Sequence, residues 1–494
     1  MTIRELITKF SDDTPTIDEF TESIHRLNCV CTIGSISVSQ EIETEPDLGL
    51  NGRDRISINL QSDDGVVATY RPSEGRNWNQ FIQAVKDNDA EENARLIIDV
   101  SKVEQGGRVS IYNTDDFAEY LESKGVEAVL NEFDSEFDGK DRIVFEVQTI
   151  HYTAWNTCRI AFIPLNGYIP VMAEIEPEGI HEKSNKICDT NVTISHLTPS
   201  KFMPRNEVEP KNRLQTVFRK YAQILCFYFL FDHLYFNRNE ITYKMIGLRA
   251  VNGTIDIANL RNADIDYSSL TVYFNIYVWL YTGGNIYDKA SIARNVLSLN
   301  INEETLTISS HTHDAVVSNF NIYEMENMKH YLEVRNKVSD EVGKIQKDII
   351  CAIEEYTGGV TKVMTAHLTF FLTTVIIRVL AKNIDDSVLL PNVIIILSYA
   401  LMVVSLLYLL YSRYDAKERK KLKENHFELL KKRYSDVLGE EEITNLSSDF
   451  DEKQEGSTAF YVKNRMKWIT RLWAGCLFVI TLAITGILIH NLYS

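Results

Sequence analysis

The chain has 494 residues, a formal net charge of −18 and seven cysteines. This length allows two or three domains besides a membrane anchor. The acidic balance argues against a general nucleic-acid coat protein. The cysteines are odd in number and lack the spacing of a disulfide framework, so we expect reduced thiols in the cytosol.

Residues 1–155 are predicted to form an N-terminal α+β domain. We expect a helix over residues 16–27 and then a strand over 30–38, where β-branched residues alternate. Segments 55–60 and 66–70 flank a turn-forming cluster and predict a hairpin. No glycine-rich phosphate turn joins a strand to a helix in this part of the sequence, so a nucleotide-binding fingerprint is not indicated.

Residues 156–324 are predicted to form a central mixed α/β sensor domain. One hairpin is expected between 158–164 and 168–174, and a second between 243–250 and 254–260. Each is centred on an Asn-Gly pair, which is a strong hairpin signal.

The apolar stretch 221–236 in this domain has nearly the composition of a membrane span. It is short, however, and Asp232 and His233 interrupt it. A bilayer crossing requires about 20 apolar residues. We therefore expect a buried helix here.

Residues 325–362 predict a long, charged stalk helix. Its apolar positions are separated by 3, 4, 4, 3, 4 and 4 residues: Tyr331, Val334, Val338, Val342, Ile345, Ile349 and Ile353. This 11-residue period favours a straight or slightly right-handed bundle. An ordinary amphipathic helix packed on its own domain gives a similar stripe and is an equal alternative. Gly358 and Gly359 are expected to act as a joint at the end of the stalk.

Residues 363–494 contain three long apolar segments. We expect membrane spans over 363–381, 388–412 and 468–490, and a helical insert over 413–467. A single such segment is also compatible with a buried soluble helix, but three in one region indicate a membrane anchor. The expected fold is therefore α+β cytosolic domains followed by a stalk helix and an all-α transmembrane region.

The charges beside the spans predict their orientation. The loop 382–387 is net acidic, whereas basic residues cluster after the second span and before the third. Because positive residues stay on the cytoplasmic side, we expect the N-terminal domains and the insert to be cytoplasmic. The chain would then be a multi-pass protein of the inner (plasma) membrane.

Three groups of residues suggest metal sites, but each has a simpler interpretation. His311 and His313 lack a further ligand at a suitable offset and fit a polar loop. The acidic run from Asp134 does not match a calcium loop at its third and twelfth positions. Cys29 and Cys31 lack a second ligand pair, and a strand places alternate residues on one face. We predict no metal, cofactor or catalytic residue, although dispersed catalytic residues would escape this reasoning.

Threonines at Thr361, Thr365, Thr369 and Thr373 follow one face of the first span. Such a row is suited to contacts with neighbouring helices or to lining a water-filled path between several copies. We predict Thr365, Thr369 and Thr373 as pore-lining residues. The alternative is that each hydroxyl bonds to the preceding helical turn.

A basic set stands out in the acidic N-terminal part, namely Lys201, Arg205, Lys211, Arg213, Arg219 and Lys220. Such a set suits an anionic signal, a nucleotide or a short oligonucleotide. We predict Lys211, Arg213, Arg219 and Lys220 as ligand-binding residues. A solvated helix face is the alternative.

The order of a large body, a stalk and spans starting at Val363, Val388 and Leu472 resembles the membrane effectors of bacterial anti-phage defence systems. In the Hailong system, the effector is controlled by the oligonucleotide product of a nucleotidyltransferase. The resemblance implies a homo-oligomeric pore in the lipid bilayer that depolarises the membrane under control of a nucleotide signal made by a partner enzyme. It rests on architecture alone and assigns no residues.

Two other functions are weighed against the pore. Magnesium transporters of the CorA type share the layout but close their first span with Gly-Met-Asn, where residues 378–383 here are Arg-Val-Leu-Ala-Lys-Asn. A membrane-tethered hydrolase or nuclease, with spans that only anchor it, is the alternative from another functional class.

Overall fold

The computed structural model describes residues 2–11, 14–47, 52–62, 65–88, 92–149, 151–172, 177–208, 212–238, 240–257, 266–380, 392–435, 438–448 and 450–493. The chain divides into two compact units, unit 1 (Met1–Ile322) and unit 2 (Tyr323–Ser494). Unit 1 is an α+β region, and its described residues form three sheets. Unit 2 is built from helices.

Unit 1 begins with a five-stranded antiparallel sheet in the order β1-β2-β5-β3-β4. Its elements are α1 (Ile3–Ile7), β1 (Thr16–Glu22), β2 (Arg26–Ser35), β3 (Arg55–Ser62), β4 (Gly65–Tyr70), α2 (Trp78–Lys86) and β5 (Glu92–Ser101). The hairpin predicted between 55–60 and 66–70 is confirmed by β3 and β4. Cys29 and Cys31 lie on the buried face of β2, in one hydrophobic cluster with α1 and α2.

The helix predicted over residues 16–27 is wrong. Residues 16–22 form strand β1, which pairs antiparallel with β2. β1 contains Ile17 and Phe20, residue types that fit a pleated surface. The pairing supplies backbone hydrogen bonds from a partner strand, which a mixed local pattern does not reveal.

The second sheet has the order β6-β7-β9-β8. Its elements are β6 (Arg108–Ile111), α3 (Thr114–Ser123), α4 (Val126–Glu136), β7 (Ile143–Val147), β8 (Trp155–Asn156) and β9 (Ile160–Pro164). The hairpin predicted between 158–164 and 168–174 is wrong for the described residues, because 168–172 contain no strand and β9 pairs with β7 and β8. The boundary predicted after residue 155 falls within β8, so this sheet joins both predicted domains.

The third sheet has the order β10-β11-β12-β13. The remaining elements of unit 1 are α5 (Ile180–Ser184), β10 (Asp189–Thr190), α6 (Pro199–Phe202), α7 (Arg213–Leu230), β11 (His233–Phe236), β12 (Glu240–Ile246), β13 (Ala250–Asp256), α8 (Leu270–Tyr281) and α9 (Ile286–Asn300). A hairpin is present in this region as β12 and β13, but the turn predicted at Asn252-Gly253 is wrong, because both residues lie within β13 and the turn precedes Ala250. Gly253 instead lies opposite Tyr243, whose hydroxyl is 2.6 Å from the position that a Cβ on Gly253 would occupy.

Helix α7 is the buried helix predicted for the apolar stretch. Its side chains from Tyr221 to Leu230 are all buried, and it ends six residues before the predicted end. Arg294 stabilises this end, because its guanidinium donates to the carbonyls of Leu230 and Phe231 and pairs with Asp232 at 2.9 Å. Asp232 and His233, which interrupt the apolar stretch in the sequence, therefore follow directly after the end of the helix.

Unit 2 contains helices of a length that suits a bilayer. The helices are α10 (Thr312–Leu380), which begins within unit 1, α11 (Asn392–Tyr434), α12 (Glu440–Ser448) and α13 (Thr458–Tyr493). Among the described residues, α10, α11 and α13 are long and apolar enough to cross a membrane. The helical insert is formed by the end of α11, by α12 and by the start of α13.

The stalk stripe packs inside unit 2. Val338, Val342, Ile345, Ile349 and Ile353 are buried in one cluster with residues of the insert, including Phe427, Leu430, Leu438 and Val462. The stripe therefore behaves as the alternative predicted, as one side of an amphipathic helix packed on its own domain. Its packing partner is the insert. Helix α10 continues through Gly358 and Gly359, and the joint predicted there stays a prediction.

Candidate functional site

The first membrane helix has one face inside unit 2 and one face outside it. Val360, Val363, His367 and Thr374 are buried, whereas Thr365, Thr369 and Thr373 are exposed. At about 100° per residue, the threonine row lies on the side of α10 opposite the buried residues. The structure thus brings the three predicted residues together on an outward surface.

The hydroxyls of this row differ from those of other threonines in unit 2. Thr374 donates to the carbonyl of Phe370, and Thr481 donates to that of Leu477, both at 2.8 Å. No such bond is made by Thr365, Thr369 or Thr373 within the described part of the chain. Their hydroxyls are therefore open to water or to a neighbouring molecule.

The threonine row continues toward the stalk as a longer polar face. Lys362 and Glu355 precede Thr365 by three and ten residues, which keeps them on the same side of the helix. We call Glu355, Lys362, Thr365, Thr369 and Thr373 the polar strip.

The charged end of the polar strip opens into a cavity of about 430 Å³ between α10 and α11. Arg419 crosses this cavity and pairs with Glu355 at 2.7 Å and with Asp415 at 2.9 Å. The two carboxylates raise the pKa of the Arg419 guanidinium, and Asp415 contributes most. Lys362 lines the same cavity, so its lining holds two cations and two carboxylates. The sequence did not reveal this cavity, because its two walls are about 60 residues apart in the chain.

A second polar group lies inside the membrane helices, and sequence reasoning missed it. His367 is 2% exposed; its Nδ1 lies 2.8 Å from the carbonyl oxygen of Val363, and its Nε2 lies 3.5 Å from Ser405 Oγ. A nitrogen facing a carbonyl must carry hydrogen, so Nε2 is the acceptor in the neutral ring. A histidine in an apolar run and serines at positions 398, 405 and 412 were the available signals.

The predicted basic set is largely engaged within unit 1. Arg213, at the start of α7, pairs with Glu122 at 2.5 Å, and Arg219 pairs with Glu207 at 3.0 Å. Lys220 also has an interaction within the chain. Lys211 lies outside the described residues. An anion binding here must replace existing carboxylate partners.

The groups that suggested metal sites have other contacts. Asp134 accepts hydrogen bonds from the backbone N–H groups of Ser195, His196 and Leu197, at 2.8 Å for His196. His313 pairs with the neighbouring Asp314 at 3.4 Å. Within the described ranges, no three His, Cys, Asp or Glu side chains are grouped closely enough to hold a metal ion.

Comparisons with known proteins leave the chain without an assigned family, since no protein family, curated protein or solved structure matches it.

Proposed function

We propose that this protein is an oligomeric membrane effector or ion channel, gated by its N-terminal unit. The observation that carries the proposal is the polar strip on the outward face of the first membrane helix. In lipid, an exposed threonine gains nothing from its hydroxyl, whereas in a water-filled conduit the hydroxyl replaces a hydrogen bond of bulk water. The strip therefore suits a surface that faces water between several copies.

One copy is too small to enclose this path by itself. Three membrane helices pack around Trp473 and Leu477 of α13 and Met402 of α11, which fills their centre. The threonines of the strip are exposed on the side of α10 that faces away from that centre. A conduit lined by Thr365, Thr369 and Thr373 consequently requires a homo-oligomer in the lipid bilayer.

Gating is supported by the continuity of α10. Its first turns belong to the core of unit 1, where Val316 is buried and Phe320 contacts Trp279 at a ring distance of 5.4 Å. The same helix continues to Leu380 in the first span. A ligand that binds one packing of unit 1 more tightly than another would thereby act on the span. The difference between its affinities for the two packings sets how far the equilibrium shifts.

The proposed signal is an anionic nucleotide or oligonucleotide made by a partner enzyme. Arg219 is better suited to it than Arg213, because the partner of Arg219, Glu207, has a side chain that is 80% exposed and easily displaced. Glu122, beside Arg213, has a side chain that is only 9% exposed. Together with the layout, such a signal suggests antiviral defence by depolarisation of the inner membrane. Unit 1 would be cytoplasmic by the positive-inside rule.

The test is ion flux through liposomes that contain the purified protein. Flux that responds to nucleotides or short oligonucleotides, and that is weakened by Arg219→Gln but not by Lys244→Gln, supports the proposal. Lys244 is an exposed lysine of β12 in the same unit. Hydrolysis of these compounds by the protein in vesicles that stay sealed would instead favour the membrane-tethered enzyme.

A further inference from the structure

A cavity of about 770 Å³ lies beside the first turns of α13, apart from the polar strip. Ile350 of α10 forms one wall, and Tyr461, Asn464, Arg465 and Trp468 of α13 form the other. The turn that contains Gly456 and Ser457 also lines it. The cavity thus combines a guanidinium, an amide and three aromatic rings, since Phe460 also lines it.

The α13 wall is a single helix face that leads into the third membrane span. Tyr461, Arg465, Trp468 and Leu472 follow at intervals of four, three and four residues, which keeps them on one side of the helix. Tyr461 and Trp468 are 52% and 59% exposed. Their order runs from polar to apolar toward the span, and tyrosine and tryptophan are the residues that proteins place at headgroup level.

Arg465 has no counter-ion among the residues that the structure describes. Its neighbour Lys463 pairs with Glu452 at 2.8 Å, and Lys420 pairs with the same carboxylate at 2.5 Å. None of the described residues that line the cavity is acidic. The cavity therefore offers an uncompensated cation beside aromatic and apolar walls.

We propose that this cavity binds the headgroup of an anionic phospholipid. The phosphate would accept hydrogen bonds from Arg465 and Asn464, with Tyr461 beside the headgroup, the glycerol region would lie against Trp468, and the chains would follow Leu472 into the bilayer. Basic pockets beside membrane helices recognise anionic headgroups in this way. The inference rests on α13 crossing a membrane, and not on conduction by the protein.

Other occupants fit the cavity less well. A soluble anion would use Arg465 but would leave the exposed rings of Tyr461 and Trp468 uncovered. A second copy of the chain would have to bring a carboxylate to Arg465 at the depth of the headgroups. A lipid phosphate supplies both the charge and the apolar extension at that depth.

The test is native mass spectrometry of the purified full-length protein, titrated in detergent with phosphatidylglycerol or with phosphatidylcholine of equal chain length. We expect preferential retention of phosphatidylglycerol and a loss of about fivefold in its affinity for Arg465→Gln. Lys467→Gln is the matched control, because Lys467 is an exposed cation two residues away on the opposite side of α13. Arg465→Lys should retain part of the preference.

Three outcomes would overturn this site. The first is an equal loss for Arg465→Gln and Lys467→Gln, which would indicate general charge attraction. The second is displacement of phosphatidylglycerol by equimolar glycerol 3-phosphate, which would indicate a soluble-anion site. The third is a changed oligomeric mass for Arg465→Gln with unchanged lipid retention, which would indicate contact with a second copy.

Discussion

Lys102 in unit 1 and Thr369 in unit 2 show how differently the two units treat polar side chains. The Lys102 side chain is fully buried, and its Nζ lies 2.7 Å from Glu22 and from the carbonyl oxygen of Ser23. Glu22 in turn accepts backbone N–H groups of Tyr112 and Asn113. Burial lowers the pKa of Lys102, while Glu22 opposes this shift. The pair of Lys102 and Glu22 therefore has a structural role inside unit 1.

Thr369 is exposed on the outside of the membrane helices and makes no hydrogen bond within the described residues. The hydroxyls of the threonine row form no hydrogen bonds within the described residues. They can do so only when water or another molecule lies beside them. The polar contacts of Lys102 and Glu22 stabilise unit 1, whereas the threonine hydroxyls of the polar strip in unit 2 remain available to water or to another molecule.

The largest effect is expected from Thr369→Trp. An indole placed in the middle of the strip should fill a narrow conduit and abolish single-channel current. Leu368→Trp is the matched control, since Leu368 is 70% exposed and lies about 100° around the helix. Equal currents for both variants would remove the first span from the wall of the conduit.

Lys102→Met should be the most damaging change to unit 1. It leaves the buried Glu22 carboxylate without its cation, and breaking a buried pair on one side costs about 3–5 kcal/mol. Lys86→Met removes an exposed pair with Glu43 and should cost less than about 1 kcal/mol. Denaturant unfolding followed by tryptophan fluorescence measures the free energy of unfolding of both variants. Similar losses would show that the buried pair stabilises the protein no more than the exposed pair does.

Thr369→Val together with Thr373→Val should reduce conductance without preventing assembly. Valine preserves the size and the β-branching of threonine but removes the hydroxyls that keep a narrow path wetted. We expect a fall of severalfold in single-channel conductance, with an unchanged oligomeric mass. A double variant that conducts like the parent would show that these hydroxyls do not contact the permeating ions.

The smallest effect concerns Glu452, in the insert. Hydrogen bonds from Lys420 and Lys463 lower the pKa of its carboxyl from 4.5 to about 2. A lowered folded-state pKa stabilises the protein above pH 4.5, and this contribution is lost as the pH falls toward 2. Because the side chain is 41% exposed, we expect Glu452→Gln to cost only about 1 kcal/mol at pH 7.

Thermal unfolding at several pH values checks the Glu452 prediction. The difference between Glu452→Gln and the parent should shrink below pH 4, whereas Glu455→Gln, at an exposed neighbouring position, should behave like the parent throughout. A difference that is independent of pH would rule out the charge as its cause.

Local patterns predicted the parts of the fold that depend on nearby residues. Hydropathy located the membrane helices, and alternation located the hairpin of β3 and β4. Residues 16–22 were misassigned because their mixed local pattern does not reveal the pairing with β2, and residues 168–172 because β9 pairs with β7 and β8 instead. The threonines of the strip were visible at spacing four, but the pairing of Arg419 with Glu355 depends on how α10 and α11 pack.

The central claim, that the polar strip faces water in a conduit, is tested most directly by thiol modification of Thr369→Cys. Cys351→Ser and Cys476→Ser would remove the accessible cysteines of the membrane helices. Only a hydrated thiol ionises and reacts readily. A small cationic methanethiosulfonate should therefore suppress the current of Thr369→Cys and leave that of Leu368→Cys unchanged. Modification at 368 but not at 369 would contradict the account.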